Sequence, residues 1–170
     1  EILFRFPIKT GAKRHTVTPI LTDDSVWVSS HSQGQIKTQV KGRGKADNAW
    51  TNAKVKTMLA TPVLVDGHLY GLGTTAGKST DFVCMNFETG EEKWNQPRAF
   101  ADYASIIAVG DKLLTLNSNG ELTLIKARPD KYEELGRIQA CGKTWSFPAY
   151  VDGVLYARDE RQIVALKLVE

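Results

Sequence analysis

The sequence predicts an all-β chain built from four similar antiparallel sheets. Three observations carry that expectation. A hairpin phrase recurs four times at nearly constant spacing, its runs are short and rich in Val, Ile, Leu and Tyr, and no stretch sustains the 3.6-residue apolar period of a capped helix.

The first copy of the phrase runs from Thr18 to Val28, with Asp23-Asp24 at its centre. It returns from Thr61 to Tyr70 around Asp66-Gly67, from Ser105 to Leu114 around Gly110-Asp111, and from Phe147 to Tyr156 around Asp152-Gly153. Pro19 and Pro62 lie 43 residues apart, Ile106 follows after another 44, and Pro148 after another 42. Asp and Gly tolerate the positive φ that two-residue hairpin turns require, and β-branched and aromatic residues suit a pleated, packed surface.

A third strand follows each hairpin, at residues 34–36, 82–85, 122–125 and 163–166. A fourth follows three of these. Thr89-Gly90 turns the chain into a strand anchored by Trp94, a packing residue between sheets. Arg128-Pro129-Asp130-Lys131 turns it into residues 132–135, and a Lys/Gly-rich link over 37–45, with Lys41, Arg43 and Lys45 on a flexible, solvated loop, leads to 46–50. The last copy stops after its third strand. Residues 1–6 read as a separate outer strand, with Phe4 where Trp94 stands in its own repeat. The division is therefore an outer strand at 1–6 and units at 16–50, 59–95, 103–138 and 145–168. Four antiparallel strands in a repeat of this length make a β-propeller blade, and a lone blade cannot bury both of its faces.

Composition narrows the partners. The chain has 170 residues, 22 basic and 19 acidic, for a formal charge of +3, with 42% hydrophobic and 24% charged residues. That balance belongs to an ordinary folded domain and is too mild to predict nucleic-acid binding. No apolar run approaches the roughly 18 residues of a membrane span, and no basic leader precedes an apolar stretch. Cys84 and Cys141 form no paired motif, and His15, His31 and His68 fall at different repeat positions, so no metal site is expected. The two thiols are expected to be free.

The order of strand, Asp-Gly, Val/Leu-Tyr, apolar strand and Thr-Gly-x-x-x-Trp resembles the quinoprotein-like, or pyrroloquinoline-quinone-like, propeller repeat. Residues 61–94 carry the strongest likeness. Residues 111–122 and 145–159 resemble the last blades of bacterial propeller-repeat proteins, similar to those of the outer-membrane assembly scaffold. The resemblance implies rings of seven or eight blades. The four here are then half of such a ring, a closed four-blade unit, or one of two chains that assemble into a larger ring. It also implies export to the periplasm or cell exterior. For the enzymes of the family it implies a quinone stacked on a Trp, a calcium ion, and a disulfide between adjacent cysteines. This sequence has no adjacent cysteines and no acid–amide cluster of a calcium loop, so no quinone cofactor is expected.

Other chemistry is equally unsupported. No G-x-S-x-G elbow is present. Gly77-Lys78-Ser79 ends like a phosphate loop, but Leu72 stands where the first glycine is needed, and Gly71 and Gly73 flank it. No pair of carboxylates is placed for acid–base work. The expectation is a non-catalytic protein with no cofactor.

Binding is expected on the face where inter-blade links meet the loops between second and third strands. The candidates there are Arg14, His15, Tyr103, Trp145 and Arg158, a basic surface with interspersed aromatics. Trp145 also suits packing between blades, and Arg158 an ion pair with Asp159. The leading expectation is a scaffold or protein-interaction module. The alternatives are a receptor for an anionic or carbohydrate ligand, and a fragment of a quinone-dependent oxidoreductase.

Overall fold

The computed structural model describes residues 2–8, 16–42, 44–57, 59–76 and 79–168. The first sheet holds β1 (Ile20–Leu21), β2 (Ser25–Ser30), β3 (Gly34–Val40) and β4 (Ala46–Asn52). The second holds β5 (Val63–Val65), β6 (His68–Ala76), β7 (Ser79–Asn86) and β8 (Glu92–Phe100). The third holds β9 (Ala104–Val109), β10 (Lys112–Asn117), β11 (Glu121–Lys126) and β12 (Glu134–Gln139), and the fourth β13 (Ala149–Val151), β14 (Val154–Arg158) and β15 (Ile163–Lys167). Strands lie in chain order within every sheet, all pairings are antiparallel, and no helix occurs among the described residues. This is the architecture of propeller blades.

The turns explain the repeat. Asp66 and Gly67 have φ of 45° and 71°, and Asp152 and Gly153 have 48° and 79°, the paired positive values that match the twist of a hairpin. The first copy lacks a glycine at its turn. There the Asp24 carboxylate accepts from the Ser25 hydroxyl at 2.8 Å, and Thr22 N–H donates to the Ser25 carbonyl at 2.9 Å. One backbone bond is common to all four copies: the carbonyl of the second turn residue accepts from the residue that leaves the third strand. The pairs are Val40 to Asp24, Phe87 to Gly67, Ala127 to Asp111 and Leu168 to Gly153, at 2.7–2.9 Å.

Matching rows of residues cross the sheets. Ile20, Trp27, Lys37 and Trp50 are successive Cα partners in the first. Val63, Tyr70, Cys84 and Trp94 take those places in the second, and Ile107, Leu114, Leu124 and Gly136 in the third. The fourth has Ala149, Tyr156 and Ala165. Each of the first three rows faces the next sheet. Trp27 packs with Leu69, Val83 and Met85; Tyr70, Phe82 and Cys84 pack with Ile106, Leu113 and Ile125; Leu114 and Leu122 pack with Leu155 and Ala157. Three apolar cores therefore join four sheets. Among the described residues no such core joins the fourth sheet to the first, and Leu21, Val151, Tyr156 and Ile163 stay exposed at the two ends.

Trp50 and Trp94 lock successive sheets. The Trp50 indole N–H donates to the Phe87 carbonyl at 3.0 Å, and that of Trp94 to the Arg128 carbonyl at 2.9 Å. Trp50 lies over the Thr89-Gly90 turn, where a Cβ on Gly90 would come within 2.5 Å of the indole.

Three elements differ from the sequence expectation. Residues 2–6 form no outer strand: the Leu3 carbonyl accepts from Gly44 N–H at 2.7 Å, which ties the segment to the β3–β4 turn rather than to β15. Residue 1 lies outside the described residues. β12 begins at Glu134 because Tyr132 leaves the sheet to meet Phe82 and Trp94 edge-on, while Arg128 gathers Asp130 and Glu133 at 2.5–2.6 Å. β3 runs on to Val40, so Lys37 is a buried strand residue and not the start of the link. Its Nζ reaches Glu88 at 2.7 Å and stands 4.5 Å from the centre of the Phe87 ring.

Two variants isolate the tryptophan lock. Gly67 and Gly90 share a φ of 71°, but a Cβ meets nothing within 4 Å at Gly67. Gly67→Ala is expected to cost about 1–2 kcal/mol of backbone strain. Gly90→Ala is expected to cost more, because it also displaces Trp50. Urea midpoints measure both, and equal losses would mean that the indole does not sit on the turn. Trp27, fully buried, is expected to lose about 3–5 kcal/mol in Trp27→Ala by the same measurement.

Candidate functional site

Links between sheets and loops between second and third strands meet at one end of the blades. Ser118 N–H donates to the Tyr103 carbonyl, and Thr144 N–H to the Ser118 carbonyl, both at 3.0 Å. The Ser118 hydroxyl donates to the Asp102 carboxylate. Gly120, at φ 82°, lets the β10–β11 turn approach the 140–142 link; a Cβ there would lie 2.2 Å from the Gly142 carbonyl oxygen. The glycine is required by both its φ and this approach. Its carbonyl accepts from Ala140 and Cys141 N–H at 2.9 and 3.2 Å.

On this frame Tyr103 is 5% exposed and Trp145 58% exposed. Their rings stack with centroids 4.9 Å apart and planes 12° from parallel. One face of the indole is thus held by a buried phenol ring while the other is open. Burial pushes the Tyr103 hydroxyl above its ordinary pKa, so it stays neutral at physiological pH. Thr144 Oγ1 accepts from Ser146 N–H at 3.0 Å and fixes the link beside the indole.

A polar cleft of about 520 Å³ opens on the same link, lined by Gly142, Lys143, Asp159, Glu160, Arg161 and Gln162. Asp159 shapes it. Its carboxylate accepts from the N–H groups of Gly142 at 2.6 Å, Arg161 at 2.7 Å and Gln162 at 2.9 Å. Those donors, Arg161 first and then Gly142, hold the Asp159 pKa down to about 2. Asp159 therefore braces the β14–β15 loop against the link instead of pairing with Arg158.

The sequence candidates separate accordingly. Tyr103 and Trp145 come together. Arg158 does not join them: strand alternation puts it with Tyr156 on the open face of the fourth sheet, away from the third. Arg14 and His15 lie outside the described residues. The bracing role of Asp159 was missed, although an acid followed two and three residues later by its own N–H donors is an Asx-turn signal. Both cysteines are free and buried, and burial pushes the Cys84 thiol up to about 12. Among the described residues no three His, Cys, Asp or Glu side chains cluster as a metal site, and no helix is long and apolar enough to cross a membrane.

No family model and no curated protein matches the chain. Solved structures do. The computationally designed protein Ika4, at 7% identity, superposes with a TM-score of 0.69 over 99% of each chain. A europium-containing methanol dehydrogenase, at 10% identity, gives 0.53 over 73% of this chain and 24% of its own. BamB from Moraxella catarrhalis, at 15% identity, gives 0.43 over 89% of this chain and 57% of its own. The chain thus has a β-propeller fold, here in four sheets, and a designed propeller matches it over its full length.

Acid tests the Asp159 brace. Its folded pKa is depressed, so its contribution is complete above the ordinary value of 3.8 and is lost as pH falls through about 2. Amide shifts of Gly142, Arg161 and Gln162 are expected to move together in that window, and to be displaced at pH 7 in Asp159→Ala. Titration of these amides near pH 4 would contradict the brace.

Proposed function

We propose that the chain is a non-catalytic propeller module that binds a protein partner through its loop face. One observation carries this reading: an indole more than half exposed is held flat on a buried tyrosine beside a polar cleft. A rigid aromatic with one open face gives contact area at little cost in conformational entropy, which is what an interface anchor requires. Lys143 and Arg161 line the cleft against Glu160, while the other carboxylate there, that of Asp159, is engaged by three N–H groups. The surface therefore favours an acidic, extended segment of the partner.

The absence of an enzyme is part of the same proposal. Its support is the missing quinone ligands in the sequence and a Cys84 thiol that burial keeps protonated. Residence in the periplasm or outside the cell is proposed on the repeat resemblance alone. Completion of a larger ring by a second copy is proposed as well. The support for that is the pair of end faces: each internal core joins the forward row of one sheet to the rear of the next, and among the described residues the two ends lack this partner.

A display library of acidic peptides, probed beside a glycan array, tests the loop face. Peptides are expected to be retained, with binding weakened about tenfold or more in Trp145→Ala and weakened further by salt. Retention of glycans alone, or of peptides undiminished in Trp145→Ala, would overturn the reading. Ring completion is tested separately by mass in solution: a dimer is expected, and Tyr156→Lys with Ile163→Asp is expected to return it to a monomer.

A further inference from the structure

The third sheet breaks the tryptophan pattern. Trp50 and Trp94 end their rows and cross to the next sheet, each with its indole N–H on a backbone carbonyl there. The third row ends in Gly136, the Cα partner of Leu124 as Trp94 is of Cys84. Where an indole would lie there is instead a groove of about 370 Å³ between the third and fourth sheets. Leu114, Leu122, Leu124, Ile138, Tyr150 and Leu168 line it. Leu168 holds the position of Phe87, since each donates its N–H to the carbonyl of its own hairpin turn. A Cβ built at Gly136 meets nothing within 4 Å, so the space begins directly at the backbone.

Two further observations identify what fits. Lys112, Lys167 and Arg137 line the groove; Glu121 and Glu134 hold Arg137, and no ion pair holds either lysine among the described residues. The groove also opens beside β12, an outermost strand whose six residues are all exposed, and such an edge accepts an extended segment.

We propose that this groove is a docking site for a tryptophan side chain carried by an extended acidic segment of a partner protein. The partner's indole takes the place that Trp50 and Trp94 fill from within the chain. It packs on Leu114, Leu122 and Leu124, and flanking carboxylates meet Lys112 and Lys167. This surface is separate from the Trp145 face, and its occupancy does not depend on that reading.

The test is a titration of the full chain, methyl-labelled at Leu and Ile, with the peptide Asp-Glu-Trp-Glu-Asp and its alanine-centred counterpart. Saturable shifts are expected at the Leu122, Leu124 and Ile138 methyls, with at least tenfold weaker binding of the alanine peptide. Gly136→Trp, which supplies the chain's own indole, is expected to abolish those shifts and raise the Tm. Lys112→Glu with Lys167→Glu, both away from the core, is expected to weaken binding at least threefold and serves if the first variant does not fold. No groove shifts at millimolar peptide, an equal response to both peptides, or undiminished binding in the folded variants would overturn the proposal.

Discussion

The indole of Trp50 leaves its own sheet and closes over the Gly90 turn of the next, and Trp94 repeats the move one sheet later. That contact expresses the constraint behind the whole fold. A four-stranded sheet of short strands has two apolar faces and buries neither alone. Face-to-face stacking removes one face of each from water, at roughly 25 cal/mol per Å² of apolar surface. Trp27, Tyr70 and Leu114 stand at the same point of successive rows, and each is 2% exposed or less. The surface ion pairs around Arg128 and Arg137 are minor beside this, since exposed pairs contribute about 0–1 kcal/mol. Lys37 is a different case. Its buried ammonium is tolerated because Glu88 and the Phe87 ring meet it, which makes it a fixed link between the first two sheets and not a large source of stability.

The same stacking sets where binding can occur. Each sheet holds its neighbour rigidly, so the loops that join them are displayed in fixed positions. Tyr103 is buried because it directly precedes β9 at an inter-sheet core, and Trp145 is presented because it rests on Tyr103. Asp159 braces the adjoining loop with three N–H bonds, so the cleft beside Trp145 does not depend on side-chain ion pairs. The Gly136 groove arises from the opposite cause. One place in the stack lacks the side chain that fills it elsewhere.

Some of this was legible beforehand. Turns of Asp and Gly at nearly constant spacing carried the hairpins, because turn preference is local to two residues. The short apolar runs carried the strand count for the same reason. Trp94 was readable as an anchor through its Thr-Gly turn. Trp50 was less so, because no Thr-Gly precedes it, and its partner Gly90 lies 40 residues away in the next repeat. Lys37 was placed in the link and not in the strand for a related reason: a lysine suits a strand interior only where a carboxylate and an aromatic ring from another sheet meet it. Tyr103 and Trp145 could each be named, but not their contact.

What the amino-acid sequence determined alone is the repeat: four antiparallel units, their turns, and the alternation that gives each strand two faces. These follow from φ preferences and side-chain patterning within a few residues. Only the tertiary structure decided which face of each unit meets the next, that 2–6 turn to the first sheet's β3–β4 turn, and that Arg158 stands apart from Trp145. Those outcomes depend on burial shared between residues about 40 positions apart in the chain, and no local preference encodes a contact whose value exists only when both sheets are present.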